Sequence, residues 1–321
     1  MSKIRLATFN CENLFARYKF ERTDVDMDNI LEDGWLANET LFEINDPVSK
    51  ELTGKAIDET NADVIALQEV ESLAALRRFK NQYLSSSNKR KYKYTLVLDG
   101  NDPRLIDVGV MSKYPIISID THIHEWNNEI NWFTFSRDCL ECDIALPDGK
   151  KIRLFINHFK SMFDINDPCN GRKNSRNKRL IQSKRVKDIV LNKFPNGDGS
   201  YAILGDLNDY LETDGQGATS IGDLANWDVV ENIVLRKEPQ ERWTHFYDGN
   251  SDCNHPKTYK QLDYILLSKT LADANSSIEP EIVRKGLPLN ADRYTGPRFD
   301  GIGQEMPSAS DHCPVVVEIE V

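Results

Sequence analysis

Apolar residues recur along this chain in two rhythms. Short runs rich in β-branched residues occupy 4–9, 64–67, 94–98, 108–111, 202–204, 262–267 and 315–319. They are too short for helices and read as strands. Two further runs, 140–146 and 152–157, flank Pro147-Asp148-Gly149-Lys150, a turn signal that joins them into a hairpin. Helical spacing appears at 50–61, 73–84 and 176–191, the last as an amphipathic helix. Residues 17–50 are polar, acidic and irregular, and read as a long loop or insertion. Gly and Pro punctuate a second long loop at 286–307. Helices that alternate with strands, together with one long hairpin, imply an α/β (α+β) layered sandwich with helices outside two sheets. The expectation is one domain over 1–321 with the insertion near 17–50.

Composition narrows the function class. At 321 residues and 40% apolar content the chain can bury a large core. A net charge of −11 excludes a uniformly basic nucleic-acid-binding surface but leaves room for a local patch. No apolar run approaches the roughly 20 residues that span a bilayer, so no stable membrane association is expected. No obligate protein partner is evident either. The N-terminus has no signal-like apolar stretch, which predicts a cytoplasmic protein, or a secreted one if a signal peptide has been removed. Six scattered cysteines make no disulfide framework. Cys139-x-x-Cys142 lies in a predicted strand, where residues three apart face opposite sides, so it is a poor zinc site. Asp24-x-Asp26-x-Asp28 imitates a calcium loop, but Asn29 and Trp35 stand where Gly and Glu are needed. His122-x-His124 could share a strand face but lacks a third ligand. Trp126, Trp132, Phe133 and Phe135 could form a substrate-facing ledge; core packing is the favoured reading.

The chemistry concentrates at strand ends. Asp206 and Asn208, in Gly205-Asp206-Leu207-Asn208-Asp209, sit two apart and point to one side in extended chain. Asp311-His312, in Ser310-Asp311-His312, offers an imidazole backed by a carboxylate. Glu69 follows the buried run 64–67, where a rigid carboxylate suits a hard cation. Asn10 has the same placement after 6–9, and Asn157-His158 closes the hairpin. These are parts for hydrolysing a phosphate ester around a metal ion.

In order, Thr8-Phe9-Asn10, Gln68-Glu69, residues 104–112, Asn157-His158, Gly205-Asp206-Leu207-Asn208, Gln261-Leu262-Asp263-Tyr264 and Ser310-Asp311-His312 resemble the endonuclease/exonuclease/phosphatase superfamily. The resemblance spans residues 8–315, and its closest likeness is to bacterial nuclease-like members. It implies a deoxyribonuclease I-like four-layered α/β sandwich, two packed mixed β-sheets flanked by helices, with a cleft along one edge. It further implies that Glu69, with Asn10, holds Mg²⁺ (or Mn²⁺). Asp206 orients or deprotonates water, and Asn208 and His158 donate to phosphoryl oxygens. His312 binds phosphate or exchanges a proton, with its tautomer fixed by Asp311. Asp263, and Asp311 through the same cluster, are further candidate metal ligands. Arg104 is a candidate phosphate contact, and Asp107 a candidate partner of His158.

Residues 172–187 carry eight basic side chains and no acidic one. Arg176, Arg179, Gln182 and Arg185 recur every three residues, which gives them a loosely common face and makes the arginines candidate substrate-phosphate contacts. The reading is a divalent-metal-dependent phosphodiester hydrolase, an endonuclease with nucleic acid as substrate. A phosphodiesterase or phosphatase for a small-molecule or lipid phosphate ester is the alternative.

Overall fold

The structure, a computed structural model, describes residues 2–14, 18–20, 42–44 and 46–321. The calcium-loop imitation at 24–35 and most of the expected 17–50 insertion lie outside the described residues. Within that stretch Tyr18–Phe20 pairs antiparallel with Phe42–Ile44.

Twelve strands form two six-stranded sheets. The first contains β1 (Lys3–Leu14), β2 (Val64–Val70), β3 (Tyr94–Leu98), β4 (Asp107–Ser112), β11 (Glu281–Ile282) and β12 (Val315–Glu320). The second contains β5 (Ile116–Asp120), β6 (Cys139–Ala145), β7 (Lys151–His158), β8 (Tyr201–Asp206), β9 (Val230–Asn232) and β10 (Asp263–Ser268). The spatial orders are β11-β12-β1-β2-β4-β3 and β9-β10-β8-β7-β6-β5. Each sheet is built around one parallel central pair, β1 with β2 and β7 with β8, and the remaining pairings are antiparallel. The hairpin expected at 140–157 is β6–β7.

Period-two alternation decides which residues meet. Ile4, Leu6, Val64, Ala66, Val108, Val110, Val315 and Val317 point inward from the first sheet. Leu140, Ile144, Leu154, Ile156, Leu204 and Ile265 meet them from the second. The alternate residues Phe9, Ile65, Leu67 and Met111 face outward and pack on Leu52, Ile57, Leu76 and Phe79 of helices α1 (Pro47–Thr60) and α2 (Leu73–Tyr83). On the far side Phe155, Tyr201, Ile203 and Tyr264 pack on Val186, Ile189 and Val190 of α3 (Arg176–Lys193). The result is four layers, helix–sheet–sheet–helix. Central strands buried on both faces explain why runs such as 64–67 read as continuously apolar.

Cys139 and Cys142 lie in different core clusters on opposite faces of β6, as the spacing implied. His122, by contrast, sits past the end of β5, with Nδ1 2.6 Å from Glu125 and Nε2 2.8 Å from Glu141. Both ring nitrogens are committed to carboxylates rather than to a metal. One cysteine pair is bridged although the spacing gave no framework: Cys169 and Cys253, 84 residues apart, form a disulfide between two surface loops, and the other four cysteines are free and buried.

Candidate active site

The strand register brings the polar motifs together. His158 is opposite Asp206 across the β7–β8 pair, and Asp206 is opposite Asp263 across β8–β10. Asn10 is opposite Gln68 across β1–β2, one residue before Glu69. The ends of the central strands of both sheets thus converge on one cleft. Gly205 permits the tight approach of β7 and β8. Its φ is +132°, and a Cβ there would lie 1.9 Å from the Asn157 carbonyl oxygen.

Asp206 is the hub. Its Oδ2 accepts from Asn10 Nδ2 at 3.0 Å and from Asn208 Nδ2 at 2.9 Å, and its Oδ1 accepts from the Asn208 backbone N–H at 2.8 Å. Burial pushes its carboxyl up to about 7; protonated His312 pulls the other way, and Asp263 adds to the rise. Asn10 Nδ2 also lies 3.4 Å from Glu69 Oε1. His158 Nε2 stands 3.6 Å from Asp206 and 3.7 Å from Glu69. Its Nδ1 is buried without a hydrogen-bond partner. Burial, followed by the charges of Arg137, His312, Arg104 and Lys160, holds the His158 pKa well below its ordinary value, so this imidazole is neutral at pH 7.

His312 is the opposite case. Its Nδ1 is 2.9 Å from Asp263 Oδ2, which also accepts from the Thr244 hydroxyl at 2.7 Å. Its Nε2 is 3.8 Å from Asp206. Burial opposes the imidazolium, but Asp263 and Asp206 outweigh it and raise the pKa well above the ordinary value. Ser310 fixes the segment: its hydroxyl donates to the Asn10 carbonyl at 2.8 Å and accepts from His312 N–H at 3.0 Å.

Several expected assignments change. Asp263, not Asp311, fixes the His312 tautomer. Asp311 lies on the other side of the ring, 3.9 Å from His312 Nε2 and 3.4 Å from His245 Nε2. That pairing, and His312, overcome burial and hold Asp311 down to about 2. One oxygen of Asp263 is engaged by His312 and Thr244, and the other, Oδ1, is buried without a hydrogen-bond partner, so Asp263 keeps its place as a candidate ligand. The Asn208 amide nitrogen, at φ +51°, is directed at Asp206 and at the Phe159 carbonyl, so it braces Asp206. Asp107 does not meet His158; its Oδ1 accepts from the Gly100 N–H.

The arginines of the basic segment also part company with the expectation. Arg179 is fully buried, bonded to Ser220, Ser175 and the Arg172 carbonyl. Arg176 binds the carbonyls of Ala218 and Thr219. Arg185 makes a bidentate pair with Glu125 at 2.6 and 2.7 Å. Their guanidiniums satisfy carbonyls, hydroxyls and a carboxylate brought in from distant loops, which a spacing argument does not see. Arg104 does reach the site. It is paired with Asp102 at 3.0 Å, its side chain is 59% exposed, and its charge acts on both Glu69 and His158.

Arg137, Lys160, Thr244, His245 and Glu12 were not among the expected site residues. Lys160 was visible beside His158 in Asn157-His158-Phe159-Lys160. Arg137, Thr244 and His245 come from segments without a motif, and only the fold delivers them. Glu12 Oε2 accepts from the Asp311 N–H at 3.0 Å. The cleft is therefore zoned by charge. Glu12, Glu69, Asp206, Asp263 and Asp311 form one side; Arg104, Arg137 and Lys160 border His158 on the other. Burial and the neighbouring Arg137 charge push Lys160 down to about 8.

Candidate ligand atoms within 4.8 Å of one another occur in two groups, His245–Asp311–His312 and Asp206–Asp263–His312. In both, His312 Nδ1 is held by Asp263, and Nε2 is the nitrogen that faces Asp206 at 3.8 Å and Asp311 at 3.9 Å. Glu69 and Asp206 offer hard oxygen donors at the junction of the two sheets, a set that suits Mg²⁺ or Mn²⁺, while Asn10 turns its NH₂ to both carboxylates and its Oδ1 accepts from the Glu12 N–H.

Solved structures share this architecture. D. rerio TDP2 complexed with single strand DNA product superposes with a TM-score of 0.57 at 17% identity, covering all of both chains. Beta toxin from Staphylococcus aureus gives 0.59 at 20%, covering 98% of this chain and 99% of its own. An endonuclease/exonuclease/phosphatase family protein from Bacteroides thetaiotaomicron gives 0.59 at 13%, covering 99% and 97%. No curated protein matches the sequence. A sequence model of the Endonuclease/Exonuclease/phosphatase family matches residues 7–312. With the four layers and converging strand ends described above, this match makes the chain a member of that family of phosphoric ester hydrolases, the deoxyribonuclease I-like sandwich.

Proposed function

We propose that the protein is a divalent-metal-dependent phosphodiester hydrolase, an endonuclease that cleaves nucleic acid by attack of water at phosphorus. The observation that carries this reading is the convergence of Asp206, neutral His158 and the Asp263–His312 pair on one point beside Glu69 and Asn10. Glu69 would hold Mg²⁺ or Mn²⁺, with Asn10 fixing the Glu69 and Asp206 carboxylates beside it; the ion, when bound, neutralises charge on the phosphoryl and leaving oxygens. Asp206, with its carboxyl near 7 and three hydrogen bonds fixing its direction, orients water and takes its proton. Neutral His158 donates to a phosphoryl oxygen. His312, charged and held by Asp263, stabilises the dianionic transition state or protonates the leaving oxygen.

Nucleic acid is favoured as substrate because Arg104, with its side chain 59% exposed beside the cleft, suits a phosphate flanking the scissile one. This replaces the argument from the basic helix, whose arginines are committed elsewhere. One structural neighbour, as its name states, is a complex with a single-stranded DNA product. Among the described residues no helix is long and apolar enough to cross a membrane. The Cys169–Cys253 disulfide supports function in an oxidising compartment over the cytoplasmic expectation.

Supercoiled plasmid incubated at low salt with Mg²⁺ should be nicked. EDTA or Asp206→Ala should abolish nicking, and Glu69→Gln should raise the Mg²⁺ concentration required. Absence of nicking with either Mg²⁺ or Mn²⁺ would overturn the nuclease reading and turn attention to small or lipid phosphate esters.

A further inference from the structure

The expectation that Trp126, Trp132, Phe133 and Phe135 pack in the core holds for Phe135 alone. Trp126 and Trp132 are each 49% exposed. They stand on a small hairpin in which Trp126–Asn127 pairs with Trp132–Phe133. The indoles lie 6.4 Å apart, and Phe133 meets each of them edge-on, at 5.4 and 5.8 Å.

This hairpin is clamped. Lys178 Nζ donates to the Phe133 carbonyl, Asn177 Nδ2 to Glu129 at 3.2 Å, and Arg185 to Glu125 at the hairpin's root. The basic face of α3 thus serves to hold two large rings in solvent. The root also leads directly to the cleft. The Asn101 side chain donates to the Ile123 and Phe135 carbonyls, which joins the hairpin to the loop that bears Arg104. Arg137 follows Phe135 by two residues and donates to the Phe159 carbonyl at 3.2 Å, next to His158. The exposed rings, Arg104 and the backbone beside His158 are thus tied into one strip, with Phe135 and Arg137 buried as its internal braces.

Resting on the nuclease reading above, we propose that this strip is a subsite for single-stranded nucleic acid. Unpaired bases beside the cleavage point stack on Trp126 and Trp132, while Arg104, the exposed cation between the hairpin's root and the cleft, takes an intervening phosphate. Stacking platforms beside a cationic track are how unpaired strands are held without sequence readout. A duplex keeps its base faces covered and cannot use the rings. The hairpin tip, Asn127-Asn128-Glu129-Ile130-Asn131, carries a single aliphatic residue, half-buried, among polar and acidic ones, which disfavours insertion into a lipid bilayer.

The test is fluorescence anisotropy in EDTA with a labelled oligothymidylate, the same strand in a duplex, and phosphatidylcholine–phosphatidylserine vesicles. Wild-type protein should prefer the single strand. Trp126→Ala and Trp132→Ala should each weaken single-strand binding by roughly 5- to 100-fold, the range of one lost base stack, and weaken duplex binding far less. Trp126→Phe should retain most affinity. Arg104→Ala should flatten the salt dependence. Tryptophan variants that bind the single strand like wild type, while wild type cleaves nucleic acid, would remove this subsite and leave the nuclease reading standing. Tryptophan-dependent binding to vesicles without binding to the oligonucleotide would also overturn it. A wild-type enzyme that hydrolyses small diesters but cleaves neither strand form would overturn both.

Discussion

Asp263→Asn is the most incisive perturbation of the site, because it keeps the side chain's shape and removes only its charge. In the wild type one carboxylate oxygen accepts from both His312 Nδ1–H and Thr244. The other oxygen is buried with no hydrogen-bond partner. An asparagine can satisfy this geometry in neither orientation. If its carbonyl faces His312, its NH₂ is buried without an acceptor, at a cost of about 1–3 kcal/mol. If the amide flips, NH₂ faces Nδ1 and forces the proton onto Nε2, which leaves His312 in the wrong tautomer. Losing a charge-assisted hydrogen bond worth roughly 1.5–3 kcal/mol, together with the Asp263 charge, lowers the His312 pKa from its raised position. Combined with the tautomer change, kcat should fall by on the order of 10²- to 10⁴-fold, as for other carboxylate-oriented histidines. KM should change little, since Asp263 is buried behind His312. The assay is steady-state cleavage of a labelled oligonucleotide from pH 5 to 9, with ¹⁵N NMR to assign the His312 tautomer. A kcat within about threefold of wild type and an unmoved pH profile would refute the assignment of Asp263 as the residue that positions His312, whatever the fate of the hairpin subsite.

Other expectations concern stability. Cysteines 169 and 253 close a loop of 84 residues, for which chain entropy gives about 4.6 kcal/mol as an upper figure and about 2–4 kcal/mol in practice. Reduction, or Cys253→Ser, should therefore lower Tm by roughly 3–6 °C for a chain of this length; six titratable thiols in unreduced, denatured protein would show that the bond is absent. Arg179→Met should destabilise the protein by about 3 kcal/mol in urea unfolding, by stripping donors from Ser220 and the Arg172 carbonyl, while leaving the salt dependence of oligonucleotide binding intact; a flattened salt dependence with unchanged stability would restore it as a phosphate contact. Burial pulls the His122 pKa down, but Glu141 and Glu125 outweigh it and hold the pKa above the ordinary value. The stabilisation this provides is complete below about pH 6.5 and is lost as pH rises through the raised folded value. Tm measured from pH 5 to 9 should fall less on the alkaline side in His122→Gln than in wild type, and parallel curves would remove the effect.

What could be read from the sequence divides along the line between local and cross-strand information. Apolar runs such as 64–67 and the turn at 147–150 report local geometry, and their strands and hairpin appear where expected. Boundaries drifted where side chains rather than propensity set the end: β1 runs on to Leu14, five residues past the apolar run, and α1 starts at Pro47, capped by the Asp46 side chain, rather than at residue 50. The candidate site was legible as a list of residues because each motif sits at or beside a strand end. The partnerships within that list were not. Asp311, next to His312 in sequence, comes only to 3.9 Å from its Nε2, whereas Asp263, 49 residues away, is bonded to its Nδ1.

The basic segment shows the same limit from the opposite side. Eight positive charges without an acidic one suggest a surface for phosphate, yet charge counted along a chain does not reveal what lies across from it. Arg172 finds Asp209 and Asp214, each at 2.8 Å, Arg179 finds Ser220, and Arg185 finds Glu125. All these partners lie more than 35 residues away in sequence. The acidic residues that neutralise the segment are therefore part of the chain's −11, distributed so that the folded helix is pinned on both flanks. One flank is the 209–220 loop behind Asn208, and the other is the tryptophan hairpin. A helix used in this way positions two walls of the cleft without touching substrate. Positive charge that the sequence offers to phosphate is spent on rigidity, and the exposed cation beside the cleft is instead Arg104, which lies outside the segment.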